Sequence, residues 1–402
     1  MNLFKIVIPF FIFSTTYAQL PDFCQTEYIK SVKSQVDISS SQEFNYFYQK
    51  ITKNESGPTF IIIPGGPGGT SISSYTPNPW FDLHEIQFGL PQKSNIILTD
   101  PRGNGCNREN NLNMKTYTTT NVANDILNII KQEKLTDYIL VGHSYGTMVA
   151  TILDQLINKS LLSKPFALVL SGTLGIYFEQ GNRFYGYEQS WNTFLHKLPK
   201  ELQKILPPTL IGDNENFPFP FGIQSDKWLS FLADGLQEGE SYINGEVFSP
   251  LKDKLFKLIS NDETQLEDLK NEILLVPIEK EMSDFFYEIY CNEIEEESED
   301  CLSHGYSVFS RPFDSSNYQI KTKIIYFQGG LDPATPPDKA KYHFENQKSS
   351  EKILITLPVG GHTTGIIIND CKEWFWTTLF SENFASLGGV VDKCPGNLIV
   401  EI

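Results

Sequence analysis

The sequence is short of positive charge and of long apolar runs. Its 402 residues include 32 Lys and Arg against 49 Asp and Glu, a formal net charge of −17. Nucleic acids and anionic membranes attract basic patches, so this balance predicts no nucleic-acid partner and no membrane partner. No apolar run reaches the ~18 residues that a bilayer span needs. We therefore expect a soluble globular protein with an acidic surface.

Aromatic residues, glycine and proline are present throughout, with 13% Phe, Trp and Tyr. This composition excludes a disordered chain, a collagen and a coiled coil. At roughly 150 residues per domain, the length allows one large domain or two moderate ones.

The N-terminus has the layout of a secretory signal peptide. A short basic segment is followed by an apolar one over residues 6–13 and by the small-residue cleavage site Thr16-Tyr17-Ala18. Residues 1–18 are therefore predicted to be removed, and the protein to be secreted or sent to a lysosome-like compartment. The alternative is a buried N-terminal strand. Secretion would give meaning to the glycosylation sequons at Asn54 and Asn158, although either can be an unused tripeptide.

An even number of cysteines in a secreted chain indicates disulfides. Many pairings of six cysteines are possible. Closeness in the sequence favours Cys291–Cys301 and Cys371–Cys394, which leaves Cys24–Cys106. There is no Cys-x-x-Cys and no paired histidine beside a cysteine, so no metal site is predicted.

Strand and helix patterns alternate in two stretches of the chain. The predicted helices span residues 120–134, 148–156 and 372–380, and the predicted strands span residues 44–51, 59–63, 95–99, 137–141, 166–170, 323–327 and 352–357. Alternation predicts an α/β fold with a mostly parallel sheet. Residues 19–175 and 319–402 would form this catalytic domain. Residues 176–318 lack the alternation and would form a largely helical cap insertion.

Gly142-His143-Ser144-Tyr145-Gly146 lies between a buried strand and a helix, which is the context of a nucleophile elbow. The tight turn needs glycine on both sides of the serine and exposes the hydroxyl at the carboxyl end of the sheet. An ordinary strand–helix turn is the alternative. The context favours Ser144 as a nucleophile.

A serine nucleophile needs a base held by an acid, in the chain order Ser, Asp or Glu, His. His362 follows a strand and a double glycine, whereas His196 and His304 fall in the insertion and His343 in a polar helix. Asp332 ends the preceding strand and is the expected acid, with Asp338 as the second choice. Asp332 can also be a simple turn residue before Pro333.

Two backbone N–H groups are expected to bind the oxyanion of the reaction. One belongs to Tyr145, directly after the nucleophile, and the other to Gly66 in the glycine-rich loop that follows the first buried strand. A plain glycine turn would explain that loop equally well on its own.

Four motifs together resemble the α/β-hydrolase serine exopeptidases typified by prolyl aminopeptidase and tripeptidyl aminopeptidase. They are the elbow and the segments Gly65-Gly66-Pro67-Gly68-Gly69, Asp100-Pro101-Arg102-Gly103-Asn104-Gly105 and Asp332-Pro333-Ala334-Thr335-Pro336. The resemblance covers about residues 40–175 and 320–395. Pro64 stands where prolyl aminopeptidases usually carry histidine, and Tyr290-Cys291-Asn292-Glu293 is similar to a segment of the secreted tripeptidyl branch. The resemblance therefore favours the tripeptidyl-like branch. Arg102 and Asp100 are expected to brace loops around the site.

The resemblance implies a secreted serine aminopeptidase that needs no cofactor and acts on peptides with a free N-terminus. Such an enzyme needs a carboxylate for the substrate ammonium, and Glu293 and Glu188 are the candidates; each can instead be a solvated surface acid. The acidic tract over residues 295–300 is expected to be a solvated face, and the alternative is that it draws cationic peptide ends toward the cleft. A carboxylic ester hydrolase, an esterase or lipase, would use the same triad, and a non-catalytic hydrolase-fold binding protein is the third possibility.

Overall fold

The structure is a computed structural model that describes most of residues 24–402. The segments outside the description are residues 1–23, 53–56, 73–89, 92–93, 109–111, 180–181, 212–215, 238–240, 244–245, 249, 261, 277–283, 297–300, 302–308, 363–370, 382 and 395–396. The predicted signal peptide, the Asn54 sequon and most of the acidic tract lie outside the described residues.

A nine-stranded sheet forms the centre of the molecule, in the order β1-β2-β4-β3-β5-β6-β9-β10-β11. Strands β3 to β6, β9 and β10 pair in parallel, and β1, β2 and β11 add antiparallel edges. The mostly parallel sheet predicted from the alternation is confirmed. The strands are β1 Ile29–Gln35, β2 Glu43–Ile51, β3 Thr59–Ile63, β4 Asn95–Thr99, β5 Tyr138–His143, β6 Ala167–Ser171, β7 Ser241–Ile243, β8 Glu246–Phe248, β9 Lys323–Gly329, β10 Lys352–Leu357 and β11 Ile399–Glu401.

The helices cover both faces of this sheet and fill the stretch between β6 and β9. They are α1 Thr119–Glu133, α2 Tyr145–Asn158, α3 Asn182–Lys197, α4 Lys200–Gln203, α5 Ser225–Gln237, α6 Pro250–Leu258, α7 Glu263–Leu275, α8 Asp284–Ile289, α9 Pro337–Asn346, α10 Lys372–Phe380 and α11 Val390–Lys393. In the described part of the chain, each helix falls short of the length and apolarity that a membrane span requires.

Strand β3 shows why the sheet is buried on both faces. All five of its residues are buried. Ile61 and Ile63 join the core that α1 and α2 cover, whereas Phe60 and Ile62 join the core under α10. Successive side chains of a strand point to opposite faces, so an unbroken apolar run needs helices on both sides.

The stretch between β6 and β9 has its own apolar core. Trp191, Trp228 and Leu255 are among its buried members, and Leu331 from the loop after β9 belongs to it as well. This stretch also contains the two-stranded hairpin β7–β8, which the sequence reading did not predict. The loop that carries Asp332 is therefore packed against these helices.

Three disulfides join the six cysteines in the predicted pairs Cys24–Cys106, Cys291–Cys301 and Cys371–Cys394. Cys106 lies in a short 3₁₀ turn after β4, and Cys371 caps α10. Each bridge therefore fixes a loop or a helix end to a neighbouring part of the chain.

Candidate active site

Ser144 occupies a sharp turn between β5 and α2. Its backbone has φ 53° and ψ −122°, a conformation that non-glycine residues rarely adopt. The strain is held by surrounding bonds: its N–H donates to Ser171 O at 2.9 Å, and its carbonyl accepts from Thr147 N at 2.9 Å. The side chain is only 9% exposed. This is the geometry expected of a nucleophile elbow.

Glycine is required beside this turn because β3 and α2 approach each other closely. A Cβ built on Gly146 would lie 2.2 Å from the carbonyl oxygen of Ile63. Any larger residue would push the helix away from the strand and move the serine. The glycine spacing of the motif therefore follows from packing.

Asp332 and His362 form a buried hydrogen-bonded pair. His362 Nδ1 lies 2.8 Å from Asp332 Oδ2 and 3.0 Å from Oδ1. Asp332 follows β9, and His362 follows β10 after the turn that contains Gly360. Parallel strands end at one edge of a sheet, so both residues lie at the edge where β5 is followed by Ser144.

The neighbours of Ser144 contact His362 directly. The His143 ring centroid is 4.8 Å from that of His362. Gly172, with φ +59°, leaves room for the imidazole, because a Cβ there would lie 2.9 Å from His362 Cε1. Sequence reading did not identify Gly172, whose role depends on a contact 190 residues along the chain. The structure thus brings Ser144, Asp332 and His362 to one place.

The Asp332 carboxylate is buried but surrounded by donors. The N–H groups of Ala334 and Thr335 each donate to Oδ1 at 2.9 Å. Gln328 Nε2 donates to Oδ2 at 3.2 Å. Burial alone would raise the pKa of Asp332, but the adjacent His362 and the hydrogen bonds hold that pKa below its ordinary value. The carboxylate is therefore ionised at neutral pH.

The two predicted oxyanion donors lie on segments next to Ser144. Tyr145 is the first residue of α2, where N–H groups have no acceptor within the helix. Gly65, beside Gly66, approaches Ser144 so closely that a Cβ there would be 2.9 Å from the serine Cβ. Gly66 has φ +117° and precedes Pro67 in a cis peptide bond. The arrangement suits an oxyanion site.

Asp100 holds the glycine-rich loop in place. Its Oδ1 accepts from Ser71 N at 2.7 Å and Ile72 N at 2.9 Å, and its Oδ2 accepts from Cys106 N at 3.0 Å. Burial raises the pKa of this carboxyl to about 6, against the lowering effect of those hydrogen bonds. The loop after β3 is thereby tied to the loop after β4.

Arg102, in the loop after β4, is bonded to α1 and to the segment after β1. Its guanidinium forms two hydrogen bonds with the Asp125 carboxylate, from Nε at 2.9 Å and from Nη2 at 2.7 Å. Both side chains are fully buried. Arg102 also donates to the carbonyl of Val36, which joins the segment after β1 to this network.

Glu293, a predicted amine anchor, has partners within the protein. Its carboxylate accepts from Thr119 N at 3.3 and 3.4 Å and pairs with Arg311 Nε at 3.3 Å. Burial raises its pKa, which the bonds to Thr119 and the charge of Arg311 partly offset. Glu293 is thus a buried acid at the N-terminus of α1, and the solvated alternative does not apply to it.

The other acidic positions also differ from solvated surface acids. Glu188, the second predicted anchor, is half-buried in α3 and accepts a hydrogen bond from Ile211 N. Glu295 was expected on a solvated face, but it is 4% exposed and accepts a hydrogen bond from the Tyr290 hydroxyl. That expectation was wrong for Glu295 because the turn after α8 directs it inward.

The helices between β6 and β9 contact the loops that carry Asp332 and His362. The His362 N–H donates to the carbonyl oxygen of Gln237, the last residue of α5, at 3.2 Å. A Cβ on Gly186 of α3 would lie 2.7 Å from Pro333 O. Neither contact has a sequence signal, because each joins segments far apart in the chain. The described residues include no group of three or more His, Cys, Asp or Glu suited to a metal ion.

Comparison with known proteins identifies the fold. Residues 58–209 match a family model described as the alpha/beta hydrolase fold. A probable proline iminopeptidase of Leptolyngbya boryana is 24% identical over 160 residues, or 38% of this chain and 45% of that protein. A proline iminopeptidase of Arabidopsis thaliana is 24% identical over 176 residues, or 41% and 40% of the two chains. The chain thus matches less than half the length of these relatives.

Solved structures resemble the chain at low identity. An esterase from Exiguobacterium antarcticum has 19% identity and a TM-score of 0.41, covering 88% of this chain and 98% of its own. A bromoperoxidase from Bacillus anthracis has 14% identity and a TM-score of 0.44, covering 89% and 100%. Likeness at this level carries no argument about the reaction. With its sheet order, its strained serine turn and the match over residues 58–209, the chain has the α/β-hydrolase fold.

Proposed function

We propose that the protein is a serine hydrolase whose triad is Ser144, His362 and Asp332. The observation that carries the proposal is the buried Asp332–His362 pair beside the strained turn of Ser144. A serine hydroxyl becomes a nucleophile only when a neighbouring base accepts its proton and a third group holds that base. The chemistry of these three side chains and the hydrogen-bonded Asp332–His362 pair support those roles.

The reaction follows from this arrangement. Ser144 Oγ attacks the substrate carbonyl carbon while its proton moves to Nε2 of His362, and the N–H groups of Gly66 and Tyr145 bind the resulting oxyanion. His362 then gives the proton to the leaving group, and an acyl-enzyme remains. Water, deprotonated by the same imidazole, attacks the acyl group and frees Ser144. Asp332 stays ionised throughout.

The proposed substrate is a peptide with a free N-terminus, from which one residue or a short peptide is released. Two observations support this choice: the four motifs that resemble serine exopeptidases, and two relatives named as proline iminopeptidases. The helical segment over residues 176–318 is proposed to cap the cleft and admit chain ends. Glu293 and Glu188 stay candidates for the ammonium partner, although each already accepts hydrogen bonds inside the protein.

The proposed location is outside the cell or in a lysosome-like compartment. The signal-like residues 1–18 support it, and so do the three disulfides, because such bridges persist in oxidising compartments.

Replacing the nucleophile tests the triad. We expect Ser144→Ala to lower the turnover of activated esters and peptide amides by at least about a thousandfold while the fold is retained. A serine-directed fluorophosphonate should label wild-type Ser144 and not the variant. Ser94→Ala is the matched control, since Ser94 is also buried but lies at the opposite end of the sheet. Substantial activity in Ser144→Ala would refute the assignment.

A matched substrate panel tests the peptidase proposal. Pro-, Ala- and Ala-Ala-Pro-type amides, each with a free and an acetylated N-terminus, would be compared with short acyl esters. We expect cleavage of amides only when the amine is free, and the preferred length separates single-residue from tripeptide release. Equal cleavage of blocked amides, or activity on esters alone, would indicate an esterase.

A further inference from the structure

The hydroxyl of Thr335 contacts both members of the Asp332–His362 pair. Thr335 Oγ1 donates to Asp332 Oδ2 at 2.7 Å and lies 3.3 Å from His362 Nδ1. The residue is 3% exposed and lies in the turn that leads to α9. Its buried hydroxyl therefore acts on the pair without competition from solvent.

The hydrogen-bonding capacity of a hydroxyl determines which atoms Thr335 can donate to and accept from. It has one hydrogen, which goes to the Asp332 carboxylate, and its lone pairs then face His362 Nδ1. The Nδ1–H of His362 is thus directed at oxygen atoms of Asp332 and Thr335 together. That tautomer leaves Nε2 as the nitrogen that can take a proton from a serine.

Gln328 completes the surroundings of Thr335. Its Nε2 donates to the carbonyl of Thr335 at 2.8 Å as well as to Asp332, and its Oε1 accepts from Thr173 N at 3.2 Å. Gln328 is 1% exposed and belongs to β9. The turn is therefore anchored to the sheet, and the hydroxyl has little freedom to move.

We propose that Thr335 is a positioning residue of the hydrolase: its hydroxyl holds the Asp332 carboxylate and the Nδ1–H of His362 in the single arrangement that lets the imidazole act as a base. This inference rests on the proposed function. The resemblance to serine exopeptidases implies no role for this side chain.

The test removes the hydroxyl and keeps the shape. We expect Thr335→Val to lower kcat for p-nitrophenyl acetate, and the rate of fluorophosphonate labelling of Ser144, by roughly 10- to 100-fold, with KM little changed. Thr335→Ser restores the hydroxyl and should stay within about threefold of wild type. If Thr335→Val does not fold, Thr335→Ala is measured in the same way.

A pH profile distinguishes a positioning role of Thr335 from a general loss of stability in the variant. Thr335→Val removes a 2.7 Å bond to the carboxylate and only a 3.3 Å contact with Nδ1, so the loss at the carboxylate dominates. A carboxylate that loses a donor attracts the proton on the neighbouring imidazole more strongly. The acid limb of kcat/KM, and of the labelling rate, should therefore move to higher pH in Thr335→Val and return in Thr335→Ser. His143 also faces His362, so the profile is repeated in His143→Gln and in the double variant; the shift caused by Thr335→Val should persist there.

Thr322→Val is the matched control. Thr322 is also buried, and its Oγ1 donates to the carboxylate of Asp154 at 2.6 Å, away from the candidate site. This variant should lose stability but keep the wild-type pH profile and labelling rate. Both variants lose a hydrogen bond from a threonine hydroxyl to a buried carboxylate, and they differ only in where that bond lies in the protein.

Each outcome decides between the two proposals. Wild-type rates and an unmoved acid limb in Thr335→Val overturn the inference, and so does a Thr335→Ser variant as slow as Thr335→Val. Wild-type protein that is not labelled at Ser144 overturns the proposed function, and the positioning role with it. Normal labelling of the wild type and slow labelling of Thr335→Val alone supports both.

Discussion

His343 is a buried histidine that remains neutral in the folded protein. Its Nε2 lies 2.9 Å from Thr151 Oγ1, and its Nδ1 lies 2.8 Å from the hydroxyl of Tyr326. Burial, with a contribution from the charge of Lys352, lowers its pKa to about 3. An unfolded histidine titrates near 6.5. Between these values the unfolded chain binds one proton more, so acidification favours unfolding.

We expect His343→Gln to reduce the acid sensitivity of the fold. The free energy of unfolding of the wild type should fall by about 1.4 kcal/mol per pH unit below about pH 6 from this group alone. Urea unfolding at about pH 7 and about pH 5 would show the variant less stable at the higher pH but losing less on acidification. An equal loss in both proteins would contradict the assignment.

The three residues of the proposed triad could be selected from the sequence because each follows a recognisable strand. A glycine-flanked serine, an acid after β9 and a histidine after β10 are local patterns. The sequence has no comparable pattern for Thr335, Gln328 and Gly172. Their contacts depend on how a turn positions one hydroxyl or leaves space for one ring. For Glu293 the sequence left an amine anchor and a solvated surface acid both open, because its hydrogen-bond partner Thr119 is 174 residues away.

The strand predictions were most accurate where most residues are buried. Strands β3, β4 and β10 match the predicted ranges, β6 is shifted by one residue, and the predicted helix over 372–380 is α10. Strand β1 was missed because Ile29–Gln35 mixes lysine and serine with apolar residues, as an exposed edge permits. Strand β11 has three residues and depends on β10 for its conformation.

The disulfides should stabilise the fold in the order of the segments that they close. The bridges Cys24–Cys106, Cys371–Cys394 and Cys291–Cys301 join residues 82, 23 and 10 apart. Restricting the unfolded chain gives about 4.5, 3.4 and 2.7 kcal/mol respectively. Removing each pair by double serine substitution and measuring chemical unfolding tests this order. Equal losses, or the reverse order, would show that local packing dominates.

The net charge of −17 acts on the whole molecule. A strongly acidic protein attracts cations over about 10 Å at 0.1 M salt and over about 3 Å at 1 M. If substrates carry a free ammonium, kcat/KM for a peptide amide should fall severalfold between these concentrations. The value for a neutral acyl ester should change little. Parallel behaviour of both substrates would exclude electrostatic attraction of the amine.

The break in the strand–helix alternation predicts a largely helical insertion between β6 and β9, but not its separate core. Its helices have apolar residues that could pack in several ways, and nothing local to Leu331 indicates that it joins them. Long-range contacts of this kind decide how the second core meets the first. These contacts depend on the surfaces of the folded chain and produce no periodic pattern in the sequence.

The hydrogen bond from the His362 N–H to Gln237 O has a consequence for protein engineering. Exchanging the helices between β6 and β9 for those of a relative is an obvious way to graft a new specificity. In this protein the graft would also replace the carbonyl that holds the backbone of His362. A chimera must therefore bring the end of α5 and the loop after β10 from the same parent.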